Sequence, residues 1–350
     1  MTSNYLIIGQ GLAGTILSYH LLQKNIPHKV LDDGHRSAAT LAAAGIINPI
    51  TGRRYVKSWM IDDLLPIAIN TYEGLEQLLQ IPLVTKRNIL RSLDDMAQEN
   101  RWHEATSRPG YDGYVVETPK LEGYKRLVEN KMSYGEITQA MQVDVGELII
   151  KYRRFLETTN RLIEKTFIID DHDFETDLIE VEGETYDKVI FSTGYKAATD
   201  ALFGHLPFQP VKGESFHVSI KEQLPDKLLR DNMFVAPIAE HVFWTGGGYA
   251  WDVIDDKPTE KAREAWQEKL SQLLRVDFEI ISHRAGVRPS VKGRRPLIGQ
   301  HPSLKNVYLF NGMGTKGTSL APYCAVQMVN YLQEGTPLPE EVNLARFLKS

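Results

Sequence analysis

The residues best placed to do chemistry stand at the start of the chain, Gly9-Gln10-Gly11-Leu12-Ala13-Gly14. Glycines at this spacing do separate jobs. Gly9 permits a tight turn, Gly11 lets the main chain approach a pyrophosphate, and Gly14 lets a following helix pack closely on the preceding strand. The helix N-terminus, opened by Leu12 and Ala13, would present unpaired N–H groups to phosphate. Asp32 stands 18 positions after Gly14, with Asp33 beside it. A carboxylate there, at the end of a second strand, can accept hydrogen bonds from ribose hydroxyls. Together these residues point to a dinucleotide site, although they do not separate a nicotinamide from a flavin.

A second constellation lies near the other end. Gly312-Met313-Gly314-Thr315-Lys316-Gly317 precedes an apolar helical stretch. Free N–H groups at such a loop stabilise negative charge by up to ~1 kcal/mol when exposed, and by more when desolvated. Arg288 follows Gly286-Val287, and a guanidinium fork matches a planar carboxylate bidentately. Arg53-Arg54 is either a solvated turn or a second cationic contact for a dicarboxylate or phosphorylated ligand. The ten histidines show no metal-ligand spacing, and no G-x-S-x-G elbow or obvious catalytic acid–base pair is present. The single cysteine, Cys324, excludes an intramolecular disulfide framework and reads as a small buried apolar residue.

The elements that must position these groups follow from hydrophobic periodicity. Tyr5–Ile8 is an apolar run suited to a buried parallel strand, residues 12–23 carry helical spacing, and 28–31 is a second strand. Residues 37–45 are alanine-rich and predict a helix that Pro49 cannot continue. Residues 143–163 predict a helix, and 166–169 a strand. Residues 177–181 and 186–191 predict a hairpin around Glu182-Gly183-Glu184. A helix is expected over 259–274, a strand over 307–310, and a closing helix of about 14 residues from Ser319. The chain therefore reads as α/β. A Rossmann-type domain is assembled from the discontinuous segments 1–50, 140–204 and 285–350. A second, α+β domain on a mixed or antiparallel sheet is built from 51–139 and 205–284.

Composition narrows the class. The chain has 350 residues, 42% hydrophobic and 24% charged, with a net charge of -5. That balance offers no global attraction for nucleic acid or anionic membrane. The absence of a signal-like N-terminus and of a ~20-residue apolar stretch predicts a cytoplasmic protein without membrane insertion.

The motifs, taken in order, resemble the FAD-dependent D-amino acid oxidase, glycine oxidase and sarcosine oxidase superfamily. Beyond Gly9 to Asp32, the resemblance rests on Ser37-Ala38-Ala39-Thr40 through Ala44-Gly45, on Asp187 through Ser192-Thr193-Gly194, and on Pro210-Val211-Lys212-Gly213-Glu214. Gly286-Val287-Arg288-Pro289, Arg295-Pro296-Leu297-Ile298-Gly299 and Gly312 to Pro322 complete it. It spans nearly the whole chain. It implies FAD, contacted by Thr40, Ala44, Gly45, Thr193 and Gly194 as well as by both glycine loops. It implies oxidation of the C–N bond of an amino acid or secondary amine by hydride transfer to flavin N5, giving an imine that hydrolyses. Arg288 would grip the substrate carboxylate, and Phe234 and Tyr249 fall where the family has pocket-lining residues, although each could equally be core packing. Phe234 stands where glycine oxidase has a tyrosine. Sarcosine oxidase-like members carry arginines near Arg53 and Arg54. Two departures matter. The cysteine that tethers flavin in sarcosine oxidase-like members has no match near Arg288, which implies non-covalent FAD. The lysine that assists oxygen there has no match around Gly246 to Trp251, which leaves oxidase and dehydrogenase both open, with O2 or another electron acceptor. Two other readings remain: a standalone relative of the flavin domain of a tRNA wobble-uridine modification enzyme, or a non-catalytic FAD-binding electron-transfer subunit.

Overall fold

The computed structural model describes residues 4–34, 39–116, 118–121, 123–124, 127–129 and 131–348. Its centre is a six-stranded sheet in the order Leu162–Glu164, His28–Asp32, Tyr5–Ile8, Lys188–Phe191, Val307–Asn311, Leu297–Gln300. Four pairings are parallel and the last is antiparallel. Every residue of Tyr5–Ile8 and of Val307–Asn311 is buried, as expected of strands covered on both faces. The order changes direction between Tyr5–Ile8 and Lys188–Phe191, and ligands of open α/β sheets bind beyond the strand ends at such a switch.

A second sheet of eight strands runs Phe278–Arg288, Val211–Ile220, Val242–Gly246, Phe234–Ala239, Leu228–Arg230, Ile89–Leu93, Ser133–Ile137, Val115–Val116. It is antiparallel except where Leu228–Arg230 lies parallel to Ile89–Leu93. Helix Glu260–Leu273, capped by the Thr259 hydroxyl, buries Trp266, Leu270 and Leu273 against Phe216, Val218 and Phe243 of this sheet. Ile46–Ile47, Met141–Val143 and Val84–Lys86 form a small antiparallel sheet, with Met141–Val143 in its middle. Among the described residues no helix is long and apolar enough to cross a membrane.

Several expected elements differ in extent. The helix expected over 143–163 is Val145–Thr158; Asn160, at φ 55, ends it, and Leu162–Glu164 pairs in parallel with Val30–Asp32. The strand expected at 166–169 is absent. Phe167 packs instead on Phe191, 5.6 Å between ring centroids, and a short 3-10 turn follows at Ile169–Asp171. The 186–191 strand divides at Asp187. Glu184–Tyr186 folds back on Ile179–Val181 through Glu182 and Gly183, both at positive φ, whereas Lys188–Phe191 joins the central sheet. The alanine-rich helix is reduced to a 3-10 turn, Ala39–Ala42, and Ser37 and Ala38 lie outside the described residues. The closing helix is Gly317–Glu334, starting two residues earlier than expected.

Candidate active site

A cleft of about 1710 Å³ opens where the two large sheets face each other. That exceeds the ~300–1,000 Å³ of an ordinary small-molecule pocket and leaves room for a dinucleotide together with a substrate. All of the sequence-predicted site residues line it except Gly14. Gly14 instead lets helix and strand meet: a Cβ there would lie 1.9 Å from the Gly9 carbonyl oxygen.

At the nucleotide end, Gly9 adopts φ 100, and a Cβ on it would meet the Ser192 carbonyl oxygen at 2.7 Å. Gly11 precedes helix Leu12–Gln23 without a side-chain cap, and Thr40 Oγ1 accepts from Leu12 N at 3.2 Å. Leu12 and Ala13 thus present the first helical turn to the cleft. Asp32 is 8% exposed and accepts from the N–H groups of Gln10 and Gly34, both at 2.8 Å. Arg153 Nη1 lies 2.9 Å from its Oδ1 and Nη2 lies 3.0 Å from Glu164. Asp33 pairs with Lys196 at 3.1 Å, both on the cleft wall.

The middle of the cleft is held by small residues at close approach. The eight-stranded sheet pins the 39–42 turn: Ser215 Oγ and Trp244 Nε1 both donate to the Ala42 carbonyl, at 2.8 and 3.0 Å. A Cβ on Gly286 would lie 3.0 Å from Ala39 Cα, and one on Gly45, at φ 65, would lie 1.8 Å from the Val143 carbonyl oxygen. Ala44 lines the wall between them. Opposite, the Lys188–Phe191 strand runs into Ser192, Thr193 and Gly194, and Ser192 Oγ and Thr193 Oγ1 are buried without a hydrogen-bond partner. Asn311 bridges the facing loops, donating to the Gly194 carbonyl at 2.9 Å and accepting from Gly312 N at 2.8 Å.

Gly312 and Gly314 have positive φ and bring Met313 and Thr315 to the cleft ahead of helix Gly317–Glu334. Lys316 sits at the N-cap position, and its ammonium donates to Ser58 Oγ at 3.0 Å and Thr51 Oγ1 at 3.3 Å. Burial, and then the charges of Arg295 and Arg294, hold its pKa below the ordinary lysine value. A glycine cradle, orphaned buried hydroxyls, a carboxylate at the end of the second strand and a helix N-terminus with glycine at its N-cap together fit the pyrophosphate, ribose and flavin of FAD.

The remaining wall comes from the eight-stranded sheet. Arg288 pairs across the ladder with Val211, and its guanidinium lies over Gly213 two positions on. A Cβ on Gly213 would fall 2.2 to 2.5 Å from the guanidinium atoms, so only glycine leaves that seat open. Arg288 Nη1 donates to the Gly248 carbonyl at 3.0 Å, and the guanidinium stacks 4.8 Å from the Tyr249 ring. Burial lowers its pKa from the ordinary value. No carboxylate among the described residues pairs with it. Phe234 packs beneath the guanidinium of Arg230, 4.9 Å away. Arg53 and Arg54 are exposed on a turn at the cleft mouth.

The fold and the site define a flavin-type nucleotide-binding oxidoreductase. The model of the family described as FAD dependent oxidoreductase (DAO) matches residues 4–331, and the chain belongs to that family. It is an FAD-dependent oxidoreductase. It is 23% identical over 343 residues to glycine oxidase of Pseudomonas aeruginosa, covering 92% of each chain. Among solved structures it resembles glycine oxidase from Geobacillus kaustophilus, at a TM-score of 0.82 and 19% identity, covering 99% of this chain and 98% of the other. It also resembles iminodiacetate oxidase from Chelativorans sp. BNC1, at a TM-score of 0.77 and 22% identity, covering 98% of each. At such identities the structural likeness establishes the fold.

Sequence reasoning missed Arg91, Arg153, Arg230, Lys196 and Asn311. For Arg91 and Arg230 there was a signal: each is a charge in a largely apolar strand, Arg91 within Ile89–Leu93 and Arg230 at the end of Leu228–Arg230. Arg153 lies on a helix far from the glycine loop, and only the tertiary fold brings it behind Asp32.

Proposed function

We propose that the protein oxidises the C–N bond of a carboxylate-bearing amine, either an amino acid or a secondary amine, with Arg288 as the carboxylate anchor. The observation that carries this reading is the largely buried Arg288 guanidinium on the cleft wall, held by a neutral carbonyl and an aromatic face and paired with no carboxylate among the described residues. A buried cation without a counterion is costly, and a substrate carboxylate would supply the missing partner.

FAD, when bound, supplies the two-electron acceptor. The glycines at 9, 11 and 14, Leu12, Ala13 and Asp32, with Asp33 and Thr40, would hold its nucleotide end. Ala44, Gly45, Thr193, Gly194 and the 312–317 loop would hold its flavin end. The uncapped N-terminus of helix Gly317–Glu334 would stabilise negative charge there. Cys324 lies fully buried inside that helix, and burial pushes its thiol pKa up; this supports a non-covalent cofactor. Arg288 would orient the substrate, with Tyr249 and Phe234 as aromatic walls. Positioning and charge stabilisation can carry such a reaction without a dedicated general base. Segments 1–50, 140–204 and 285–350 would form the FAD part, and 51–139 with 205–284 the substrate part.

The test is an anaerobic screen of amino acids and amines for loss of the flavin's visible absorption band. Carboxylate-bearing amines should bleach it, and matched amines lacking the carboxylate should bleach it far more slowly. Bleaching that ignores the carboxylate, or no bleaching by any amine, would overturn this reading.

A further inference from the structure

Arg288 is not alone on its wall. Arg91 and Arg230 are register partners on the parallel pair Ile89–Leu93 and Leu228–Arg230. Arg230 in turn pairs with Phe234, Phe234 with Gly246, and Gly246 with Ser215. Register partners share a face, and Arg91, Arg230, Phe234 and Ser215 all line the cleft.

Like charges directly opposite one another in a sheet are destabilising. Here the two guanidinium groups share a single neutral acceptor, the Asp231 carbonyl, to which both donate. Aromatic faces hold their planes: Tyr55 lies 5.8 Å from Arg91, and Phe234 lies 4.9 Å from Arg230. Arg91 Nε is buried without any hydrogen-bond partner. The nearby carboxylates hold Lys131, although the Asp231 charge also acts on Arg230 and offsets part of its cost. Asp231 pairs with Lys131 at 3.1 Å, and Lys131 also holds Asp94 at 2.9 Å. Three cations therefore stand against two carboxylates, and the surplus positive charge faces the cleft. Burial, followed by the charge of Arg91, brings the Arg230 pKa down to about 10, as a cation short of a partner should behave.

We propose that Arg91 and Arg230 form a second anion subsite, and that the amine oxidised here carries a second carboxylate or equivalent anion besides the one held by Arg288. Tyr249 stacks on Arg288 and lines the same cleft wall region as Arg230 and Arg91. The exposed Arg53 and Arg54 at the mouth are less suited to hold a second anion, because solvent screens them. This inference rests on the proposed amine oxidation for the nature of the substrate, but not for the existence of the subsite.

The test uses the holoprotein and two non-oxidisable acids of equal chain length that differ in one carboxylate, butyrate and succinate. Affinities are read by calorimetry and by the perturbation of the bound flavin spectrum. Succinate is expected to bind about ten- to hundredfold more tightly, the range for charge-assisted hydrogen bonds. In R91Q and R230Q the succinate-to-butyrate ratio should fall towards one, whereas R91K and R230K should retain part of it. In R288M both acids should weaken together. Equal affinity for the two acids in the unmodified protein overturns the proposal, and so does a ratio that persists in both glutamine variants. Tight succinate binding without bleaching by any amine would leave the subsite standing and remove the amine-oxidation reading.

Discussion

Gly213→Ala separates the placement of Arg288 from its presence. Gly213 lies in the extended strand Val211–Ile220, a conformation that alanine accepts without strain. The added methyl would fall 2.2 Å from Arg288 Nη2, 2.4 Å from Cζ and 2.5 Å from Nη1. Carbon contacts settle near ~3.5–4.0 Å, so the guanidinium must move by at least about 1 Å. Because the obstruction is the far end of a flexible side chain, the strand need not shift. The move breaks the 3.0 Å bond to the Gly248 carbonyl and the stack on Tyr249. Removing a strand glycine returns roughly 0.4–1 kcal/mol through the unfolded state, against about 1.5–3 kcal/mol for the lost bond from a charged donor. Net stability should fall by about 1–2 kcal/mol, a few degrees in Tm at most. Binding should suffer far more, since a misplacement of about 1 Å can cost roughly a hundredfold. The assay pairs thermal unfolding and flavin content with calorimetric affinity for a non-oxidisable monocarboxylate. FAD should be retained, Tm lowered by a few degrees at most and affinity reduced about ten- to hundredfold. Combining Gly213→Ala with Arg288→Ala should add little beyond Arg288→Ala alone, since both remove one interaction. Unchanged affinity in Gly213→Ala, or fully additive losses in the double variant, would refute the argument that this glycine seats the anchor.

Other outcomes can be measured on the same protein. Arg288→Ala should keep FAD yet lose about 2–5 kcal/mol, more than tenfold, towards carboxylate substrates, with little rescue by Arg288→Lys; equal loss on an amine without a carboxylate would count against a substrate role. Asp32→Ala should weaken FAD by roughly 1.5–3 kcal/mol. Arg153→Met should weaken it less, because the main-chain N–H groups of Gln10 and Gly34 still hold the carboxylate; a larger loss in Arg153→Met by flavin-release titration would reverse that order. His28 is buried as the neutral ring, its Nδ1–H donating to the Ile26 carbonyl and its Nε2 accepting from Ser18, and burial lowers its pKa to about 4 from 6.5. The unfolded chain therefore takes up this proton first, and stability should fall as pH drops from 6.5 towards 4, by about 3 kcal/mol at full development. His28→Gln should flatten denaturant-derived stability over that window, and an unchanged slope would contradict the linkage.

The sequence by itself determined the parts whose chemistry is local. The run Tyr5–Ile8, the glycines that follow and helix Leu12–Gln23 lie within twenty residues, and their roles follow from backbone freedom and periodicity alone. Arg288 was singled out by the resemblance that Gly286-Val287-Arg288-Pro289 bears to the family, not by local chemistry. The terminus of helix Val145–Thr158 was not legible, because Leu162 and Ile163 continue an apolar pattern that only the left-handed Asn160 and pairing with Val30–Asp32 resolve. What required the tertiary structure is whatever depends on register between distant strands. Gly213 meets the Arg288 guanidinium, Arg91 meets Arg230, and Arg153 meets Asp32, across sequence separations of 75, 139 and 121 residues. A strand's pattern states which face a side chain takes, but not which neighbour it takes it beside. The placement of the charges in this cleft was decided there, by sheet order and register.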